Sequence, residues 1–88
     1  MFDDLRCDRA LPDGKPGKQF QTKSFDDRGF FYYVITEDGR LVKNDNDIDF
    51  HGIVNFYSYD SKTGDWREFD AVFTHGQLET IKVVEVVA

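Results

Sequence analysis

The fold of this chain is decided by one stretch, Phe30-Phe31-Tyr32-Tyr33-Val34-Ile35-Thr36-Glu37-Asp38-Gly39-Arg40-Leu41. Its first half is aromatic and β-branched, which predicts a β-strand, and Asp38-Gly39 is a strong hairpin signal. Alternate residues of a strand face opposite sides. Both faces of this strand are apolar, so both need cover, and the chain must close around the strand or offer one face to a partner. We assign one face to the core, namely Phe31, Tyr33 and Ile35.

The rest of the chain also has β character. Short apolar runs separated by Gly, Asp and Asn predict strands at 19–25, 40–43, 50–59, 66–74 and 77–87. The intervening polar segments predict turns at 26–29, 60–65 and 75–76 and a loop at 44–49. The last strand changes its apolar face partway along, which predicts a bulge near Thr80.

These elements predict one all-β domain spanning residues 1–88. Residues 1–17 are expected to form an N-terminal cap, with a short helical turn or loop in which Asp3 or Asp4 is the capping residue. Residues 18–88 are expected to form an antiparallel meander of five or six strands. A strongly curled sheet or a small open barrel would cover the inner face of the aromatic strand.

Composition limits the environment and the partners. The net charge is −6, and nucleic-acid binding relies on Lys and Arg, so nucleic acid is not expected as a partner. No stretch approaches the roughly 20 apolar residues of a membrane span, and the acidic start is unlike a signal peptide. The single cysteine, Cys7, cannot form an internal disulfide, which indicates a cytoplasmic protein.

No metal, cofactor or catalytic site is predicted. Asp45, Asp47 and Asp49 alternate as in a calcium loop, but the required glycine and glutamate are missing at the later positions. Zinc sites usually contain pairs of Cys or His ligands a few residues apart. In this chain the candidate ligands occur singly, as Cys7, His51 and His75. No activated nucleophile is evident around Cys7, so we do not expect an enzyme.

The predicted interaction surface is the second face of the aromatic strand together with aromatic residues of the neighbouring strands. Tyr and Trp are typical anchors of protein interfaces, although the same rings could belong to the core. The candidate residues are Phe30, Tyr32, Val34, Tyr57, Tyr59 and Trp66. The valine-rich tail at 81–87 offers a second route, because an exposed edge strand can pair with another chain. A protein partner or a homodimer is therefore expected, through the sheet face or the C-terminal edge strand.

Several short motifs together resemble a group of small uncharacterised proteins of bacterial and phage genomes. They are Phe2-Asp3-Asp4-Leu5 with Cys7, Leu11-Pro12, Phe20-Gln21-Thr22-Lys23, Asp38-Gly39-Arg40-Leu41, Asp49-Phe50-His51-Gly52 and Phe56-Tyr57. The resemblance implies a short cytosolic protein of phage or mobile-element origin. It implies no activity and no functional residue.

The leading hypothesis is a non-enzymatic, all-β protein-interaction domain. One alternative is an acidic inhibitor of a nucleic-acid-processing enzyme, in which the carboxylates of Asp45, Asp47 and Asp49 imitate phosphates. The other is a small metal-binding or enzymatic protein that uses Cys7, His51 or His75.

Overall fold

A computed structural model describes residues 3–15, 17–25 and 32–84 of the chain. This part is all-β, as predicted, and contains no helix. Eight strands form one sheet in the order β5-β4-β3-β1-β2-β6-β7-β8. Their bounds are β1 Asp3–Cys7, β2 Gln19–Thr22, β3 Tyr32–Ile35, β4 Leu41–Lys43, β5 Asn46–Asp47, β6 Gly52–Asp60, β7 Asp65–Thr74 and β8 Gln77–Val83.

The N-terminal segment is a strand, so the predicted helical turn is wrong. β1 lies inside the sheet, antiparallel to β2 and parallel to β3. Asp3, Leu5 and Cys7 are buried while Asp4 and Arg6 point outward, which is the two-residue period of a strand. Two neighbouring strands supply hydrogen-bond partners for its backbone, which an isolated helical turn would lack.

The predicted meander of five or six strands is also wrong. Every neighbouring pair in the sheet is antiparallel except β1 and β3, which are parallel. The sheet is therefore mixed, because the chain leaves β2 and returns on the other side of β1.

The predicted turns within the described residues are confirmed. Asp38-Gly39 connects β3 to β4, and Gly39 has a φ of 87°. The turn at 60–65 connects β6 to β7. His75 and Gly76 have φ values of 48° and 75°, which is the type I′ geometry of a tight hairpin. The predicted turn at 26–29 lies outside the described residues.

Two further features concern β5 and β8. The predicted polar loop contains a hairpin, because Asn44 and Asp45 take φ values of 49° and 69° and let β5 pair with β4. The bulge expected near Thr80 is confirmed, since Val72 pairs with Thr80 and the next β7 residue, Phe73, pairs with Leu78.

The short connection from β5 to β6 requires a curled sheet. Five strand spacings of about 4.8 Å separate these strands in the sheet order, or roughly 24 Å if the sheet were flat. The chain from Asp47 to Gly52 reaches at most about 18 Å. Residues 48–51 therefore cross the mouth of the curled sheet, where the Gly76 amide donates to the Phe50 carbonyl at 2.7 Å.

The β3–β4 hairpin meets the β7–β8 hairpin at one corner, which we call the seam. The Leu41 amide donates to the Gly76 carbonyl at 3.0 Å, and the Leu78 amide donates to the Gly39 carbonyl at 2.8 Å. A single further bridge, between Arg40 and Gln77, extends this contact. Among the described residues β4 and β8 meet nowhere else, so the sheet is not a closed barrel.

The core lies on the inner face of the sheet. Tyr33 and Ile35 are buried there as expected, whereas Phe31 lies outside the described residues. Phe20 and Phe56 pack edge to face with their ring centroids 5.1 Å apart, a geometry that aromatic rings favour. The buried cluster comprises Leu5, Cys7, Leu11, Phe20, Tyr33, Ile35, Leu41, Val54, Phe56, Phe69, Ala71 and Phe73.

Arg67 attaches the loop between β1 and β2 to one end of this core. Its guanidinium donates to both carboxylate oxygens of Asp13, at 2.8 and 3.0 Å, and lies over the rings of Phe20 and Phe69. The same group donates to the Lys15 carbonyl at 3.2 Å. Hydrogen bonding from Arg67 lowers the pKa of Asp13 below its ordinary value.

Replacing Gly76 tests the seam. A Cβ at Gly76 would lie 2.1 Å from the Ile48 carbonyl oxygen, and its φ is positive, so Gly76→Ala should lower the free energy of unfolding by about 3 kcal/mol. Gly64→Ala is the matched control, because Gly64 has a φ of 76° but no atom within 4 Å of its Cβ position. Gly64→Ala should lower the free energy of unfolding by only about 1 kcal/mol. Equal losses of unfolding free energy for the two variants, measured by urea denaturation, would contradict close packing at the seam.

Acid should remove the contribution of the Asp13–Arg67 pair. The folded-state pKa of Asp13 is depressed, so its stabilisation is present above the unfolded pKa of about 3.9 and is lost as the pH falls through the folded value. Asp13→Asn should therefore destabilise the protein at neutral pH and progressively less below about pH 4. Urea unfolding between neutral and acidic pH measures this, with Asp45→Asn, at an exposed turn, as control. A pH-independent difference for Asp13→Asn would contradict the assignment.

Candidate interaction face

The outer face of the sheet carries the residues that the core does not use. Along β6 and β7 these residues alternate with the buried ones, and partners in register share a face. Tyr59 pairs with Trp66, Tyr57 with Glu68, and Asn55 with Asp70. The face therefore presents aromatic rings at one end of the β6–β7 hairpin and polar groups toward its middle.

Three of the rings form one cluster, the aromatic trio of Tyr57, Tyr59 and Trp66. Tyr57 and Trp66 are stacked, with centroids 5.3 Å apart and planes 11° apart. Tyr59 is tilted by 45° against Trp66 at 6.4 Å. Tyr59 is 62% exposed and Trp66 is 42% exposed, so the trio offers large apolar surface held in one arrangement.

A chain of hydrogen bonds orients the trio. The Trp66 indole N–H donates to Glu68 at 3.0 Å. The Asn55 amide donates to the other Glu68 oxygen at 2.8 Å and to Asp70 at 2.9 Å. The Asn55 backbone is bonded in turn to Ser24, so these side chains rest on a fixed backbone.

A groove of about 440 Å³ runs beside the trio. Asp4 reaches it because β1 places Asp4 opposite Gln21, which pairs in turn with Tyr57. Asp4 therefore belongs to the candidate site only through the strand that the sequence analysis missed. The lining residues are Asp4, Gln19, Phe20, Gln21, Tyr57, Ser58 and Tyr59.

The predicted surface residues of β3 lie apart from the trio. Tyr32 pairs with Asp4 and is exposed on the outer face, three strand spacings or about 14 Å from Tyr57 along the sheet. Val34 is only 9% exposed, so it adds little surface. Arg6 pairs with Asp8 at 2.9 Å, and a contact with Tyr32 contributes to raising the Arg6 pKa after the larger effect of Asp8. Phe30 lies outside the described residues.

The three soft-metal candidates do not form one site, because Cys7 lies apart from the two histidines. Cys7 is buried on the inner face, and burial raises the pKa of its thiol, the opposite of what a reactive thiolate requires. His51 and His75 approach each other at the seam with ring centroids 5.9 Å apart, and Asp49 lies 3.0 Å from His75. Within residues 3–15, 17–25 and 32–84, no group of three ligands could hold a metal ion.

The three alternating aspartates are all exposed, and two of them contact other side chains of the same chain. Asp47 lies 3.9 Å from Arg40, and Asp49 contacts His75. They lie on the β4–β5 hairpin and its continuation, so they do not border the trio.

Comparisons with protein-family models, with curated proteins and with solved structures found no match to this chain. Within the described ranges, no helix has the length and apolar character needed to cross a membrane.

A double-mutant cycle tests whether the trio is pre-organised. Truncating Tyr57 and Trp66 to Ala, singly and together, should show a coupling of about 1 kcal/mol in the free energy of unfolding. The tilted pair of Tyr59 and Trp66 should show a smaller coupling. Strictly additive losses for Tyr57 and Trp66 would mean that the stack is absent in solution.

Proposed function

We propose that this chain is a non-enzymatic protein-interaction domain that binds its partner through the aromatic trio. The observation that carries the proposal is the exposure of Trp66 and Tyr59 on the outer face. Because Val54, Phe56, Phe69, Ala71 and Phe73 already fill the inner face of the same two strands, the trio is not needed for the core.

The composition and rigidity of the trio suit binding. Trp and Tyr are enriched among the residues that contribute most to binding at protein interfaces, and the rim around such residues is polar. Here Glu68 and Asn55 flank the rings and fix the indole through hydrogen bonds. A surface that is already ordered loses little side-chain entropy when a partner arrives.

The edge strand β8 is a second contact route within the same function. Val83 is exposed near its end, and the strand lies at one end of the sheet order. A second copy or another protein could extend the sheet there. We place the protein in the cytoplasm, since its one cysteine is a buried thiol and no disulfide is required.

The phosphate-mimic alternative has weaker support. It requires carboxylates spaced along one surface and available to a basic enzyme. Asp47 and Asp49 instead lie beside Arg40 and His75 of the same chain. Inhibition of a nucleic-acid enzyme that disappears when Asp45, Asp47 and Asp49 are neutralised would restore this alternative.

Affinity capture with matched surface variants tests the proposal. The wild-type chain and Ile53→Ser should retain the same partner, whereas the double variant Tyr59→Ser and Trp66→Ser should retain at least about tenfold less. Ile53 is the control because it is exposed on the outer face of β6, about 20 Å from Tyr59 along the strand. A cooperative unfolding transition and a wild-type far-UV circular dichroism spectrum would show that each bait is folded.

The proposal is overturned if the double variant retains the partner fully, or if the wild-type chain retains none. Light scattering measures the oligomeric state and so distinguishes a second copy of the chain from a foreign protein as the partner.

A further inference from the structure

We infer that the partner contacts the aromatic trio with an extended segment that bears arginine side chains. This inference rests on the proposed function and adds the chemistry of the partner. Three features of the outer face carry it: the carboxylates beside the trio, the orientation of the Trp66 ring and the composition of the neighbouring groove.

Among the described residues, no cation lies close to the carboxylates beside the trio. Asn55 draws Glu68 and Asp70 together by donating to both, and Asp4 lies on the opposite side of the groove. Across the described ranges, no Lys or Arg nitrogen lies within 4.0 Å of these three carboxylates. Like charges held close together favour a cationic partner over an anionic one.

The nearby cations leave this negative charge in place. Arg6, on the same face, is occupied by Asp8 at 2.9 Å. Lys82 is the cross-strand register partner of Asp70 and not of Glu68. Glu68, directly beside Trp66, therefore has neither of these two cations as its partner.

The geometry at Trp66 suits a guanidinium. An arginine side chain can stack on an indole or phenol face while its N–H groups reach an adjacent carboxylate. Glu68 accepts the indole N–H at 3.0 Å, so its carboxylate lies at the edge of the ring on which the guanidinium would stack. A lysine ammonium offers neither the planar stack nor the paired N–H donors.

The groove suits an extended peptide backbone. Gln19 and Gln21 are successive outward residues of β2 and line the groove together with Tyr57 and Tyr59. Each glutamine amide can both donate to and accept from a peptide group. A segment that follows β2 would thus satisfy its backbone polar groups while its side chains reach the trio and Glu68.

Fluorescence titration with defined peptides tests the inference. Trp66 is the only tryptophan of the chain, so its emission reports binding at the trio directly. The probe is a blocked heptapeptide of alternating glycine and arginine, and its lysine and glutamine counterparts are the comparisons. The arginine peptide should produce a saturable change, bind at least about threefold more tightly than the lysine peptide, and weaken with added salt. The glutamine peptide should produce no change.

A pair of charge variants separates a specific contact from general attraction. Glu68→Gln should weaken the arginine peptide about tenfold. Asp45→Asn makes the same change in net charge at the remote tip of the β4–β5 hairpin and should leave binding unchanged. Equal weakening by both variants would overturn the inference, and so would equal binding of the lysine and arginine peptides.

Failure of this inference is distinguishable from failure of the proposed function. If no peptide alters the emission but capture still depends on Tyr59 and Trp66, the interaction face is supported and the arginine-bearing partner is excluded. If capture does not depend on them, the proposed function itself falls.

Discussion

The structure depends on the pairing of β1 with strands on both of its sides. β1 lies between β2 and β3, so the segment after β3 builds outward on one side of the sheet and β6 must join β2 on the other. Only residues 48–51 connect β5, at the end of the first side, to β6 on the second side. A flat sheet would place these two strands beyond the reach of that connection. Curling of the sheet, the seam at Gly76 and the enclosed core all follow from that constraint.

The same pairing separates the two faces and assembles the candidate site. Inward residues of β1 fill the core with those of β2, β6 and β7. Outward residues continue across the sheet from Tyr32 through Asp4 and Gln21 to Tyr57. The groove beside the trio is therefore lined by three strands, and β6 is distant in sequence from β1 and β2. A change that displaced β1 would open the core and remove Asp4 from the interaction face together.

Local patterns predicted much of the fold. The Asp38-Gly39 turn, the β6–β7 hairpin and the bulge near Thr80 follow from turn chemistry and alternation over short windows. β1 was missed because Asp3 and Asp4 resemble helix-capping residues and its alternation spans only five positions. Its parallel pairing with β3 is a non-local contact that no local pattern encodes. The Asn44–Asp45 turn did have a local signal, since both residues tolerate positive φ.

The candidate site was predictable to the extent that it depends on alternation. Because alternate residues of a strand face opposite sides, the sequence positions of Tyr57, Tyr59 and Trp66 place them on the outer face without knowledge of the strand order. The contributions of Asp4 and Asn55 were missed because they arise from strand order and cross-strand hydrogen bonds. The burial of Val34 likewise reflects its neighbours in the sheet and not its own sequence context.

Hydrogen exchange at β1 is the direct test of its pairing on both sides. The Cys7 amide donates to the Lys18 carbonyl at 2.9 Å and the Asp8 amide to the Ile35 carbonyl at 2.8 Å, which ties β1 to both of its neighbours. We expect these two amides to exchange as slowly as those in the middle of β6 and β7, through global unfolding. Exchange of Cys7 and Asp8 at the rate of a free chain, with β6 and β7 still protected, would contradict that pairing.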